Sequence, residues 1–394
     1  MTRLNAQTLG AAVALALAAA VSLGAARFSY ALLLPPMRVD LGLSYFTAGV
    51  MNTVNAAGYL AGALALPALL RRADARSVML LGGVAASLLL ALHGAARSDA
   101  ALLLLRATCG MASAASFVCG GVLAARLASQ ASGHVGQVLG LYYGGTGLGI
   151  VASALVVPPL VGAGGAGWAA AWVVLGVLSL LATTLTAWGT RQLHAPPVAG
   201  ARRERLPLLP FAWGLAGYAM FGLGYIGYMT FIVTLLREQG LSSATVTTFY
   251  IVLGLGVVAS SWLWAGLLQR HRGGRPLATL NGLLALATAL PVFSAHPLAV
   301  FASGALFGSV FLSVVASTTA LVRHNAESAH WAGGIAAFTI VFAAGQIVGP
   351  SLTGAIADGP GGLVRGLAWS AAALALGSVL GALQRAAPQR APVS

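Results

Sequence analysis

Apolar runs of about 20 residues or more recur along this chain from Leu9 almost to its end, broken only by arginines, prolines and short Gly-polar clusters. As a helix, such a run matches the apolar thickness of a bilayer, and in lipid the backbone must satisfy its own hydrogen bonds. The chain is therefore expected to be an all-α integral membrane protein. Twelve transmembrane helices can be read, at 9–34, 45–70, 77–96, 100–127, 135–160, 168–189, 208–236, 244–268, 276–294, 297–321, 331–357 and 362–384. Charged residues make up only 7% of the chain, which leaves no room for a detachable soluble domain. The first run is longer than the apolar part of a signal peptide and further spans follow, so it reads as the first membrane helix.

The formal charge is +14, and all 21 basic residues are arginine. With the N-terminus inside, fifteen of them, from Arg3 to Arg390, fall in cytoplasmic segments. Arg38, Arg97, Arg237 and Arg365 fall outside, and Arg27 and Arg106 stay in the membrane. The positive-inside rule then puts both termini in the cytoplasm. It also accounts for the net charge without nucleic acid as a partner. Cys109 and Cys119 stand ten residues apart in one apolar run, about 15 Å on a helix and too far for a disulfide, so both read as packing residues.

The longest connection, "RQLHAPPVAGARRERLP" (191–207), divides the chain into an N-terminal six-helix bundle (1–190) and a C-terminal one (208–394), with 191–207 as a cytoplasmic linker. The two parts repeat. "RVDLGLS" (38–44) returns as "LREQGLS" (236–242) at an offset of 198, and "LLRRADAR" (69–76) matches "LLQRHRGGR" (267–275). Two pseudo-symmetric six-helix bundles are a transporter architecture.

"RFSYALLLPPM" (27–37), "GLYYGGTGLGI" (140–150) and "FGLGYIGYMTFIVTLLRE" (221–238) resemble the YbfB/YjiJ-type branch of the major facilitator superfamily (MFS). "GALALPALLRRADAR" (62–76) is similar to that superfamily's loop 2–3 motif, keeping Asp74 and Arg76. "RATCG" (106–110) resembles its span-4 motif. The resemblance covers essentially the whole chain. It implies the MFS fold, with a central cavity lined by spans 1, 4, 7 and 10, spans 2, 5, 8 and 11 as flanks and gates, and alternating access as mechanism. It also implies that drug antiporters of this type carry Gly-Pro in span 5, where this chain has Gly149 followed by Ile150.

Arg27 and Arg106 each fall about seven residues from the outer end of their spans, roughly 10 Å deep. An arginine in the membrane is costly and by default marks a functional interior. Snorkelling or capping of carbonyls is the alternative for Arg27, and a structural or coupling role is the alternative for Arg106. No carboxylate falls mid-membrane: Asp40, Asp99, Glu238 and Asp358 lie near outer ends, and Asp74, Glu204 and Glu327 lie in cytoplasmic loops. A positive cavity without a negative partner suits an anion, and a guanidinium suits a carboxylate.

Tyr30 is expected on the Arg27 face, three residues on. The 198-residue offset maps Arg27 onto Tyr225 and Tyr30 onto Tyr228, and Tyr218 and Phe221 complete that stripe. Asn52, Asn55 and Tyr59 form another on span 2. Each stripe lines the cavity or packs helices together. Gly145 and Gly149 in span 5, and Gly345, Gly349 and Pro350 in span 11, are expected to allow close sliding contact at a gate, with Tyr142 and Gln346 reaching substrate from those flanks. His93, near an outer end, reads as interfacial.

HExxH, CxxC and GxSxG are all missing, and "GLGYIG" (222–227) lies in a hydrophobic run with no preceding strand, so an enzyme is not expected. The sequence thus predicts a secondary active transporter that moves a small organic anion, a carboxylate, across the bacterial inner membrane. Protons are a candidate coupling ion, the lipid bilayer is the surrounding, no cofactor or metal is expected, and the state is monomeric. The alternative is an MFS exporter of drugs or of neutral and amphipathic metabolites.

Overall fold

The computed structural model describes residues 5–131, 134–162, 167–195 and 206–386. Arg3, Arg390 and the 196–205 part of the expected linker, with Arg202, Arg203, Glu204 and Arg205, lie outside the described residues. The described chain is helical throughout and contains no strand. Among the described residues, eleven helices are long and apolar enough to cross a membrane. The long helices are α1 (Ala6–Leu41), α2 (Tyr45–Leu69), α3 (Ala75–His93), α4 (Asp99–Gln130), α5 (Val135–Gly162), α6 (Gly167–Gly189), α7 (Ala212–Glu238), α8 (Ser243–Arg270, broken at Trp264), α9 (Arg275–Phe293), α10 (Pro297–Asn325), α11 (Ser328–Ala357) and α12 (Gly362–Leu383). The 25-residue α2 is not among the eleven, because Asn52, Thr53, Asn55 and Tyr59 dilute its apolar character.

The sequence repeat has a local cause. Gly42 and Gly240 take left-handed φ values of 63° and 82°, which end α1 and α7. In each case the next residue donates back across the turn, Leu43 to the Arg38 carbonyl and Leu241 to the Leu236 carbonyl, both at 3.1 Å. Ser44 and Ser242 then cap α2 and α8, accepting from the amides of Thr47 and Thr245. "GLS" is therefore a stop–start signal used twice. The pair Pro35–Pro36 stops nothing: α1 runs through it to Leu41, seven residues beyond the expected end.

α1 and α7 form the centre. Their most apolar windows are 72% and 83% buried, against 22–50% for the other nine helices. α1 is not a regular helix. Between Ala20 and Phe28 it widens into a π-helix, closed by a bond from the Ser29 amide to the Gly24 carbonyl at 3.1 Å. Such segments are uncommon and recur at functional sites, and this one carries Arg27.

The four motif glycines glue helices within each half of the chain, and of these motif residues only Pro350 reaches the other half. A Cβ on Gly145 or Gly149 would overlap the α1 backbone at Ala16 or Ala20, and one on Gly345 or Gly349 would press on α7 at Ala219 or Leu223. The close approaches between halves lie elsewhere. α5 meets α8 at Gly147 and Gly254, while α2 meets α11 where Gly49 abuts the Pro350 carbonyl and Gly354 abuts that of Tyr45. Asp74 and Arg76 hold a turn: Asp74 accepts from the Arg76 and Ala195 amides (2.8 and 2.9 Å), and Arg76 donates to the Ala187 carbonyl at 2.7 Å.

Candidate functional site

A cavity of about 560 Å³ lies on the central axis, lined by residues of α1, α2, α4, α5, α7, α8, α10 and α11. Its volume is in the range of small-molecule sites. From Arg27 and Tyr225 it runs to Gly136, Leu268 and Arg323, near the helix ends where α1 begins and α12 finishes. The opposite end is sealed by contacts between the two halves. The Asp358 carboxylate accepts from the amides of Tyr45 and Phe46 at 2.8 Å each, capping α2 from across the seam. Arg38 pairs with Glu238 at 3.7 Å and sits 3.7 Å over the Tyr45 ring, whose hydroxyl also donates to Glu238. Deeper in, Asn52 donates to Thr230 and Thr53 donates to the Ile347 carbonyl, both at 2.6 Å. Tyr250 of α8 donates to the Phe28 carbonyl of α1, also at 2.6 Å.

The two membrane arginines are neighbours with opposite circumstances. Arg106 is fully enclosed. Its Nη1 donates to the Ala26 carbonyl (3.1 Å), Nη2 to Asn52 Oδ1 (2.8 Å) and Nε to the Met51 carbonyl (3.4 Å), and the guanidinium lies 4.6 Å from the Tyr30 ring. It staples α4 to α1 and α2 and does not line the cavity. Replacing Arg106 by alanine strands three acceptors and leaves a void, so we expect a stability loss of about 3 kcal/mol or more, read as a lowered unfolding midpoint in detergent.

Arg27 lines the cavity with 5% of its surface exposed. Among the described residues its one hydrogen bond runs from Nη2 to Gln346 Oε1 at 2.6 Å, and its Nε is buried without a partner. It forms no ion pair with a described residue. No described aspartate or glutamate lines the cavity, while Arg323 adds a second positive charge at the mouth, 5.2 Å from the Trp331 ring.

Of the other expected site residues, Tyr218, Phe221, Tyr225 and Gln346 line the cavity with Arg27. Gln346 is the hub: Oε1 also accepts from Tyr225 at 2.9 Å. Tyr30 does not share the Arg27 face, because the π-helix shifts the register between them. It turns into the core and donates to the Ala48 carbonyl at 3.0 Å. Tyr228 likewise turns away, bonded to Ser303 at 2.6 Å and stacked on Phe307. Asn52 and Asn55 tie helices together, the latter donating to the Arg106 carbonyl at 2.9 Å. Tyr142 donates to the Phe117 carbonyl, whereas its neighbour Tyr143 faces the cavity. His93 is not interfacial but buried, stacked on Trp172 at 4.6 Å.

Tyr59 lines the cavity while Asn52, on the same α2 face, is sealed in the seam; one face passes through both depths. Sequence reasoning passed over Phe311, Phe342 and Trp264. Apolar rings in apolar helices carry no signal, and only the α7 stripe opposite them hinted at a partner wall.

A family model described as "Uncharacterised MFS-type transporter YbfB" matches residues 19–382. A comparison with the curated proteins found no match. Among solved structures, a bacterial homolog of the human lysosomal transporter Spinster, inward-facing and unoccupied, superposes with a TM-score of 0.70 at 16% identity, covering 97% of this chain and 96% of that one. The nucleoside transporter NupG superposes with a TM-score of 0.71 at 15% identity, covering 96% and 99%. At such identities the likeness is one of fold.

Proposed function

The chain belongs to the YbfB-type family of MFS transporters, and from that premise we propose that it is a secondary active transporter moving a small organic anion, a carboxylate, across the bacterial inner membrane. The observation that carries this reading is Arg27: a buried guanidinium with a single hydrogen bond, facing a cavity that no described carboxylate lines. Burying such a charge is costly unless something completes its pairing, and a carboxylate does so with two parallel bonds. The charges of Arg27 and Arg323 would repel a metal cation or a cationic drug there.

In this reading α2 is the twelfth span, the chain divides into two six-helix bundles, and both termini are cytoplasmic. The cavity then opens inward, and the contacts around Asp358 and Arg38 form the outer seal. Alternating access rocks one bundle on the other and moves that seal to the opposite end. The aromatic lining favours a second reading, an exporter of neutral or amphipathic compounds. That reading gives the buried charge of Arg27 no counterpart.

Uptake or exchange of radiolabelled acids in proteoliposomes tests the proposal. Saturable movement of an acid that cationic dyes do not inhibit supports it. Transport of dyes or neutral solutes with no acid moving overturns it.

A further inference from the structure

We propose that the Arg27 seat is built for a planar aromatic monocarboxylate, whose carboxylate takes the place now held by the Gln346 side-chain oxygen. The inference rests on the anion reading above and narrows it.

Gln346 supplies the first argument. A guanidinium can only donate, so the atom 2.6 Å from Arg27 Nη2 is the amide oxygen, and Tyr225, 2.9 Å away, must donate to it as well. One oxygen thus sits between a cation and a phenol hydroxyl, the surroundings a carboxylate oxygen would choose. The amide carries no charge, so it fills the position without neutralising Arg27, whose Nε stays buried and unpartnered. A carboxylate of the substrate supplies the same oxygen plus the missing charge. Gln346 is therefore a displaceable stand-in on α11, linking the two halves while the seat is empty.

The walls supply the second argument. Tyr218, Phe221 and Tyr225 follow one another along α7, and their rings are offset-stacked at 5.5 and 4.7 Å with planes 19° and 22° apart. Phe342 joins them from α11 at 5.3 Å and 13° from Phe221, and Phe311 from α10 lies at 6.2 Å and 11° from Tyr225. All five rings line the cavity. Packing alone mixes edge-on and stacked pairs, as where Tyr45 meets Phe231 at 79° outside the cavity; inside it Phe28 stands edge-on to Phe311 at 81°, so the shared plane belongs to the other five rings. Five cavity-facing rings sharing one orientation form a slot that a sixth flat ring extends. An aliphatic chain would gain nothing from that common plane. The seat holds one guanidinium, which matches one carboxylate.

Thermal unfolding of the purified full chain in detergent tests this, with benzoate, cyclohexanecarboxylate, hexanoate and benzamide as probes. Benzoate is expected to stabilise at a concentration about three- to tenfold lower than cyclohexanecarboxylate, the margin ring stacking supplies, and benzamide should have no effect. Phe342→Leu removes one wall of the slot, so it should shrink the ratio between the benzoate and cyclohexanecarboxylate responses, each measured against that variant's own ligand-free midpoint. Gln346→Glu places a carboxylate permanently on Arg27, so it should remove the benzoate response and keep the fold. Equal responses to benzoate and cyclohexanecarboxylate, or a response to hexanoate alone, overturn the aromatic inference and leave the anion reading standing. A response to benzamide with none to any acid overturns both. No response to any of the four overturns this inference, and the transport assay then decides the anion reading by itself.

Discussion

Arg27→Ala is expected to abolish transport of the anion without harming the protein. The side chain makes one hydrogen bond, to Gln346 Oε1, and that oxygen keeps its bond from Tyr225 when Arg27 is gone. Little folding energy is therefore lost, and removing a buried guanidinium whose Nε lacks a partner relieves a desolvation cost. The unfolding midpoint should hold or rise. Binding behaves otherwise. Truncating one partner of a desolvated charge pair costs about 2–5 kcal/mol, which is tens to thousands of times in affinity. Arg27→Lys keeps the charge but not the fork, so it should fall between wild type and alanine. Uptake in proteoliposomes together with the midpoint checks the pattern. Normal anion transport by Arg27→Ala would remove this residue from the site, whatever the family.

The second large effect is expected at the seam. A Cβ on Gly49 would overlap the Pro350 carbonyl oxygen and stand 2.7 Å from the Pro350 carbonyl carbon and 3.0 Å from Ser351 Cα. All are backbone atoms of α11, so no side chain can swing aside. Gly49→Val therefore blocks the sealed end from closing, and the Asp358 cap on Tyr45 and Phe46 is lost with it. About 5.5 kcal/mol is enough to turn a 99:1 population into 1:99, and a backbone overlap of this kind is of that order. The variant should fold, keep its seat and fail to turn over. Maleimide labelling reads the change directly: with Cys109 and Cys119 replaced by alanine, Thr230→Cys should be protected in the Gly49 protein and labelled with Gly49→Val. Equal labelling in both would show that this contact is no gate.

The helical character and the repeat were legible because their causes are local. Hydropathy marks a helix residue by residue, and Gly42–Ser44 and Gly240–Ser242 do the same job at both copies. That Arg27 and Arg106 sit inside long apolar helices was legible for the same reason, although α1 runs on to Leu41 and leaves Arg27 fourteen residues from its end, not seven. Their roles were not. Arg106 is a staple because the Ala26 and Met51 carbonyls and Asn52 converge on it from two other helices, and no feature of "RATCG" records that. Tyr30 was misdirected by a counting rule that holds for an α-helix and breaks where the Ser29 amide reaches back to Gly24. The 198-residue offset pairs residues of like placement at these positions even where single residues were misassigned. Arg27 and Tyr225 both face the cavity and meet on Gln346, while their companions Tyr30 and Tyr228 both turn into the core.

The lone guanidinium at the seat also has an electrical consequence. In the proposed cycle the occupied seat is neutral, one cation against one anion, whereas the vacant seat carries one positive charge. Voltage then acts on the return of the empty protein and leaves the loaded step alone. A charge that crosses the whole field gains or loses about 2.3 kcal/mol per 100 mV. With the cell interior negative, the vacant seat is drawn inward, so a polarised membrane biases net flux outward. One-for-one exchange of anions omits the empty return and runs at a rate indifferent to potential.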